Sequence, residues 1–348
     1  MLNPPLTIPI AFVRGMLSGL EAKGLPFDTF LTDSGIAPEL LQQTGARVTA
    51  DQYVALFTLL TDRLEDDGLC FFSRPLKRGS YALVARATLS APNLEVAIRR
   101  TAHTFQLLQD DVLLEPVRDG NLAGLAIRFI DGTQQHPAFM HELLLRVFWR
   151  LLAWLAGGQL TIAGVDFAYE SPPYAASYAK IFPAPLSFNH RHSAFWFDAA
   201  RLKDPVRRDE TALRAFLAGA QANIIVPRRG DHLVSARVRS HLQQTLPTWP
   251  DLAATADALH TSTPTLQRNL AGEGTSFQAL KDELRRDMAI VRLNTSAVPL
   301  ATLASELGFA DSAAFQRAFK GWTGSAPGAY RRSRGQPDPE SHTALPPG

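Results

Sequence analysis

The order of apolar and polar residues changes its period several times along this chain. From Thr49 onward, Tyr53, Leu56, Phe57, Leu60 and Leu64 recur at helical spacing. Thr49, Asp51 and Gln52 supply a cap and first-turn residues, so the pattern predicts a helix opening there. Pro92-Asn93-Leu94-Glu95 opens another that runs through Leu108. The period then shortens. Val112–Val117 and Ala123–Ile130 read as strands of a hairpin around Arg118-Asp119-Gly120-Asn121, whose Asp-Gly pair is turn chemistry. Pro137 to Ala156 is apolar nearly all round and predicts a central helix. Ile162–Tyr169 reads as a strand, Pro173–Ile181 as a short helix, and Leu186–Phe188 and Ala194–Phe197 as two last strands. Ahead of these, the first 20 residues read as a strand or short helix, and Asp28–Gly35 and Pro38–Leu41 as short helices. Helices mixed with antiparallel strands in this way predict an α+β domain over residues 10–205.

Beyond it the strand periodicity stops. A helix is expected over Asp209–Ala222 and a hinge over Val226–Asp231, making 206–230 a linker. Residues 231–334 read as an all-α domain, and 335–348, rich in Pro, Ser and Gly, as a disordered tail.

Within the all-α part the same pattern occurs twice. Asp251–His260, the turn Thr261-Ser262 and Thr263–Ala271 form the first copy. Leu300–Gly308, the turn Phe309-Ala310 and Asp311–Lys320 form the second. Leu252, Ala256 and Leu259 answer to Leu300, Ala304 and Leu307, the inward positions of a short helix. Leu266-Gln267-Arg268 answers to Phe315-Gln316-Arg317. Each copy reads as helix, tight turn, helix, an arrangement that sets its second helix into a DNA major groove while the first crosses the backbone. Gln and Arg suit that groove because they bond bidentately to adenine and guanine edges. Ser262 and Asp311 are placed to cap the reading helices, Pro264 is tolerated in a first turn, and Gly308 suits the left-handed end of a helix. Outward positions are then Thr265, Gln267 and Arg268 on the first reading helix, and Ser312, Ala313, Gln316 and Arg317 on the second. Arg268 and Arg317 are the best base readers, while Lys320 and Thr302 read as phosphate contacts. Ala313 and Ala314 offer only methyl groups, for instance to thymine.

The residues Leu266-Gln267-Arg268, Glu273–Phe277, Leu307-Gly308-Phe309, Ala314–Lys320, Trp322-Thr323-Gly324, Pro327 and Tyr330-Arg331 resemble the DNA-binding domain of AraC/XylS-type bacterial transcription regulators. The resemblance implies seven helices, with a long linker helix between the two helix-turn-helix units. Here that helix falls at Ser276–Asn294, with Phe277, Leu280, Leu284, Met288 and Val291 inside and Asp282/Arg286 and Glu283/Asp287 on its outer side. Asn269 stands where many such regulators carry a basic residue, which implies a weaker backbone grip by the first unit. The first half lacks a β-rich start. Phe182–Phe188 and Phe195-Trp196-Phe197-Asp198 resemble instead the members whose N-terminal effector domain is longer, helix-rich and of the arabinose-binding type. The resemblance further implies a sequence-specific regulator, usually an activator working with RNA polymerase on double-stranded promoter DNA. Its N-terminal domain would bind a small-molecule effector, form a homodimer, or both. On the central helix, His141, Phe148 and Trp149 either line such a pocket or fill the core.

Composition changes this picture little. The 348 residues, 46% of them apolar, suffice for two or three domains, and the net charge of +2 does not itself announce nucleic acid. The positive residues are unevenly placed, however. Arg228, Arg229, Arg237 and Arg239 precede the paired helices, Arg268, Arg317 and Lys320 sit on or near the reading helices, and Arg331, Arg332 and Arg334 follow. Cys70 is the only cysteine, so a disulfide framework and a thiolate zinc site are excluded. The same count weighs against an enzyme fused to a DNA-binding domain, such as an alkyl-transfer repair protein. His190-Arg191-His192 is a weak metal signal, and His141-Glu142 lacks a second His because position 145 is Leu. No phosphate-binding glycine loop or nucleophile elbow occurs, and no metal or cofactor is expected. Leu143–Leu155 is too short and too interrupted by Arg146 and Arg150 to span a bilayer, and the first residues do not read as a secretion signal. A cytoplasmic, nucleoid-associated regulator is the expectation. A ligand-independent DNA-binding or architectural protein is the alternative.

Overall fold

The computed structural model describes residues 7–130, 137–158, 160–218 and 234–331. Among them, 7–10, 31–52 and 234–331 form one compact unit, and 11–30 and 53–218 form another.

The second of these, the central unit, is α+β. Helices α1 (Ile10–Ala22), the first half of α2 (Asp28–Asp33), α3 (Ala50–Leu64), α4 (Ser80–Thr88), α5 (Leu94–Leu108), α6 (Ala138–Leu155) and α7 (Glu210–Ala218) lie wholly or mostly in it. So does a five-stranded sheet of order β3-β4-β7-β5-β6. Its strands are β3 (Val112–Asp119), β4 (Leu122–Phe129), β5 (Gly164–Asp166), β6 (Leu186–Ser187) and β7 (Ser193–Asp198). The pairings are antiparallel except β5 with β6, which run parallel. The hairpin is tighter than the sequence suggests, because β3 continues to Asp119 and pairs it with Leu122. The strand expected over Ile162–Tyr169 shrinks to β5, and the helix expected at Pro173 is a 3-10 turn over Ala175–Lys180. α4 has no clear periodic signal and went unpredicted. Its start is set by Gly79, held at φ 87°.

The core of this unit lies between α6 and the β4–β7 pair. Leu145, Phe148, Leu151 and Leu152 of α6 are buried, as are Leu125, Ile127, Phe195 and Phe197 of the sheet. α6 carries apolar side chains nearly all round because α1, α5 and the sheet cover it on several sides. Asn93 caps α5 through the Val96 N–H at 3.0 Å, worth about 1 kcal/mol.

The other unit is built on a helical array: α8 (Val234–Gln244), α9 (Leu252–Ala258), α10 (Thr263–Gly272), α11 (Phe277–Thr295), α12 (Leu300–Glu306), α13 (Ser312–Thr323) and α14 (Pro327–Arg331). Two strands from the start of the chain complete it, β1 (Thr7–Pro9) and β2 (Arg47–Thr49), paired antiparallel with Ile8 opposite Val48. β2 leads into the predicted capping box. Thr49 N–H donates to Gln52 Oε1 at 2.9 Å, and Gln52 N–H donates back to Thr49 Oγ1 at 3.1 Å.

The ribbon corrects one expectation. Asp287 is buried, not on an outer side of α11, because β1 and β2 lie over that face and Thr7 donates to its carboxylate. A helix read alone as amphipathic cannot show that a strand pair 280 residues away covers its polar side. Of the helix expected over Asp209–Ala222, Glu210–Ala218 is seen. The hinge at 226–231, the tail at 335–348 and Arg228, Arg229, Arg332 and Arg334 lie outside the described residues.

Candidate nucleic-acid interface

The two helix-turn-helix units are superimposable in their bonding. In the first, Leu259 N–H donates to Thr255 O, His260 N–H to Asp257 O and Thr261 N–H to Ala256 O. In the second, Leu307, Gly308 and Phe309 donate to Leu303, Ser305 and Ala304 in the same order. The turns each place one residue in the left-handed region, His260 at φ 55° and Gly308 at φ 72°. The second turn is one residue longer before its cap. Ser262 caps α10 through Thr265 N–H, and Asp311 caps α13 through Ala314 N–H at 2.7 Å. Asp251 adds a cap on α9 that the sequence reading did not single out, accepting from Ala254 N–H at 2.8 Å.

Burial fixes how the reading helices are rotated. Leu266 and Leu270 of α10 are fully buried against Val238, Leu242, Ala256, Leu280 and Leu284. Phe315 and Phe319 of α13 are fully buried, their rings tilted at 56° with centroids 5.7 Å apart, with Tyr330 edge-on to Phe319 at 5.2 Å. With the apolar stripe committed inward, the 100° step of a helix turns Gln267 and Arg268, and Gln316 and Arg317, to solvent, and all four are exposed. Ala313, Thr302 and Lys320 are exposed as well, while Thr265 and Ser312 are half-buried beside their caps. Thr265 also accepts from the Ser262 hydroxyl at 2.9 Å.

The two units are tied together by α11 and Trp249. Trp249 packs with the first core, yet its indole N–H donates to Glu306 O at the end of α12, at 3.0 Å. The Arg285 guanidinium lies over Trp249 at 4.9 Å and over Phe309 at 5.0 Å, and its Nη2 donates to Gly308 O at 3.2 Å. A Cβ on Gly308 would sit 2.6 Å from Trp249 Cδ1 and 3.1 Å from Arg285 Nη2. Gly308 is therefore required twice, by its backbone angle and by this close approach. Trp322, half-buried, packs with its ring 5.9 Å from Phe309 of the same turn.

Positive charge in this part of the chain is sorted by partner. Arg239 is buried and ion-paired to Glu283 at 2.7 Å, which corrects its reading as part of a free basic cluster. Burial of its apolar stem against α11 brought it inside. Arg237 donates to Leu259 O, Arg286 pairs with Asp287 and Arg292 pairs with Glu306. Lys281 donates to Trp249 O and Pro250 O, and Arg331 donates to Val298 O. Burial lowers the Lys281 and Arg285 pKa values, in each case the largest cause. Arg268, Arg317 and Lys320 make no ion pair with any described residue. All three lie on α10 and α13.

The three residues singled out on the central helix part company. Phe148 lines an apolar cavity of about 280 Å³ in the central unit. His141 is buried elsewhere, its Nδ1 2.8 Å from the Ser193 hydroxyl and its ring 4.7 Å from Phe129. Trp149 is half-buried and its N–H points to Leu160 O at 3.5 Å. Next to His141, Glu142 accepts from the Tyr174 hydroxyl at 3.2 Å and from the Tyr178 hydroxyl. Burial pushes its carboxyl up to about 7 against those hydrogen bonds and the Arg146 charge. Residue order does not reveal this cluster, since its tyrosines come from the irregular stretch after β5. Among the described residues no group of His, Cys, Asp and Glu could hold a metal, and no helix is long and apolar enough to cross a membrane.

Comparison with known proteins places both parts. Residues 24–206 match the family described as the arabinose-binding domain of AraC transcription regulator, N-term, and residues 255–333 match a helix-turn-helix domain. The chain is 28% identical over 331 residues to the ornithine utilization regulator of Pseudomonas aeruginosa, covering 94% of this chain and 96% of that one. It is 26% identical over 351 residues to an uncharacterised helix-turn-helix regulator of Mycobacterium tuberculosis, covering 95% and 98%. Among solved structures, the transcriptional regulator CdpR of Pseudomonas aeruginosa is 18% identical, with 92% and 98% covered and a TM-score of 0.31. These relatives are transcription regulators and not enzymes. The chain belongs to the AraC family of DNA-binding transcription regulators.

Proposed function

We propose that this regulator binds promoter DNA sequence-specifically through two successive major-groove contacts, and that a small molecule held in the central unit controls it. One observation carries the DNA half of the reading. Every described Lys and Arg of residues 234–331 is engaged within the chain except Arg268, Arg317 and Lys320, which project from the two reading helices. Cations left unpaired on exposed helix faces are available to phosphates and guanine edges.

Arg268 and Arg317 then read bases, with Gln267, Gln316, Thr265, Ser312 and Ala313 beside them, and Lys320 and Thr302 touch phosphates. The working boundaries are 10–205 for the effector and dimerisation domain, 206–230 for the linker and 231–334 for the DNA-binding domain. The regulator acts in the cytoplasm on nucleoid DNA as a homodimer and activates transcription by engaging RNA polymerase.

The test is a titration of a labelled cognate promoter fragment, run with and without excess unrelated DNA. Arg268→Ala and Arg317→Ala are each expected to cost about 1–3 kcal/mol of specific binding, roughly a 5- to 150-fold loss, while binding to unrelated DNA changes little. Equal losses on both kinds of DNA would demote these residues to phosphate contacts.

A further inference from the structure

The cavity in the central unit is bounded by α3, α4, α5, α6, α7 and the segment between α3 and α4. Phe57, Phe72, Val84, Phe105, Leu144 and Phe148 belong to its apolar wall. At about 280 Å³ it sits near the lower edge of small-molecule sites and holds a compact skeleton, a single ring with a short chain. Its polar groups are few. The Thr61 hydroxyl is spent on Phe57 O and Thr58 O, and the Ser80 hydroxyl on Lys77 O at 2.6 Å.

One group remains. Among the described residues Asp67 is the one charged side chain on the wall, and it accepts from Gly79 N–H at 3.1 Å through Oδ2. The Tyr81 phenol oxygen is closed off by the packing around it, and among the described residues no Lys, Arg or His lines the cavity. Arg150, whose charge reaches the Tyr81 phenol, is not on the wall.

This set of groups selects by chemistry. A carboxylate or phosphate entering would lose its hydration, meet Asp67 and find no cation. A sugar would bring a ring of hydroxyls against phenylalanine, leucine and valine, leaving most of them without partners. An apolar skeleton with one hydroxyl or amino group loses nothing. Its apolar part replaces empty space, and its N–H or O–H can donate to Asp67.

We infer that this cavity binds a compact apolar molecule carrying a single hydroxyl or amino group, and that it excludes anions and sugars. The inference rests on the reading that the central unit senses a small molecule.

The experiment uses the full chain without DNA. Phenylmethyl, 2-phenylethyl and 4-phenylbutyl skeletons are each titrated as the alcohol, the amine and the matching carboxylate, by calorimetry and by thermal melting. At least one alcohol or amine is expected to bind and to raise the melting temperature, with its carboxylate at least tenfold weaker. Asp67→Asn, which removes the charge and keeps the shape, is expected to weaken the amine about tenfold. Ala82→Trp, on the cavity wall, is expected to abolish binding. If Ala82→Trp does not fold, Asp67→Asn decides. Carboxylates binding as well as alcohols and amines, no binding by any probe, or amine binding indifferent to Asp67→Asn would each overturn the inference. Adding promoter DNA afterwards separates the two readings. A probe that binds as described without altering DNA affinity upholds the cavity's chemistry and counts against effector control alone.

Discussion

The Thr7 hydroxyl donates to the Asp287 carboxylate at 2.6 Å, joining the first described residue of the chain to the long helix between the two DNA-reading units. Arg47 closes the contact, with Nε donating to Thr7 Oγ1 at 2.7 Å and lying 4.0 Å from Asp287, and Nη2 donating to Thr7 O at 2.7 Å. Its backbone N–H donates to the Tyr330 hydroxyl at 3.1 Å, and Gln52 Nε2 donates to Asn294 Oδ1 at 3.0 Å. Burial within this cluster, aided by the Arg286 charge, lowers the Arg47 pKa to about 10. The scaffold of the DNA-reading part thus includes residues from the opposite end of the sequence.

Removing one partner from a buried charged cluster leaves the other uncompensated. Asp287→Ala should therefore cost about 3–5 kcal/mol of stability, and Thr7→Val about 1–2 kcal/mol. Denaturant unfolding of the full chain measures both. A change below about 0.5 kcal/mol for Asp287→Ala would show that the ribbon only rests on the helix.

The two turns make a matched pair of substitutions. Gly308→Ala combines a strained backbone angle with a clash against Trp249, and should lower stability by at least about 2 kcal/mol. His260 takes the equivalent left-handed position with a side chain, so His260→Gly should gain about 1 kcal/mol. Thermal melts of the two variants, moving in opposite directions, check the equivalence of the turns.

Much of this architecture could be read from residue order. The repeated Leu-x-x-x-Ala-x-x-Leu spacing, the caps at Ser262 and Asp311 and the Thr49/Gln52 box are local features, and the structure forms each of them. What escaped was non-local. Asp287 and Arg239 look like surface residues until β1, β2 and α8 are laid against α11. Phe148 and His141 stand two turns apart on one apolar helix, and only the packing of α4 and the sheet decides that one meets a cavity and the other a serine.

Phosphate contacts should differ from base contacts in their salt dependence. Lys320→Ala is expected to weaken binding to cognate and unrelated DNA alike and to reduce the slope of log affinity against log salt by about 1. Thr302→Ala should weaken both less and leave the slope unchanged, since no charge is lost. Filter-binding titrations at several salt concentrations give both quantities.

Glu142 predicts a pH effect in the central unit. Its folded pKa of about 7 lies above the ordinary carboxyl value of 4.5, so the folded chain holds this proton where the unfolded chain has released it. Stability from this group is complete below pH 4.5, declines as pH rises towards 7 and is flat above. Glu142→Gln should remove that decline, gaining on the natural chain by up to a few kcal/mol between pH 5 and pH 8, in the same terms. Parallel unfolding curves for both chains across that range would contradict the assignment.

The most direct test of the central claim is capture of genomic DNA fragments by the purified full chain at increasing salt, followed by sequencing of what remains bound. Two reading helices in one compact unit predict a shared motif that survives salt, made of two blocks about one helical turn, or about 10 base pairs, apart. Loss of all fragments with rising salt and no common motif would contradict it, leaving a chain that binds DNA by charge alone.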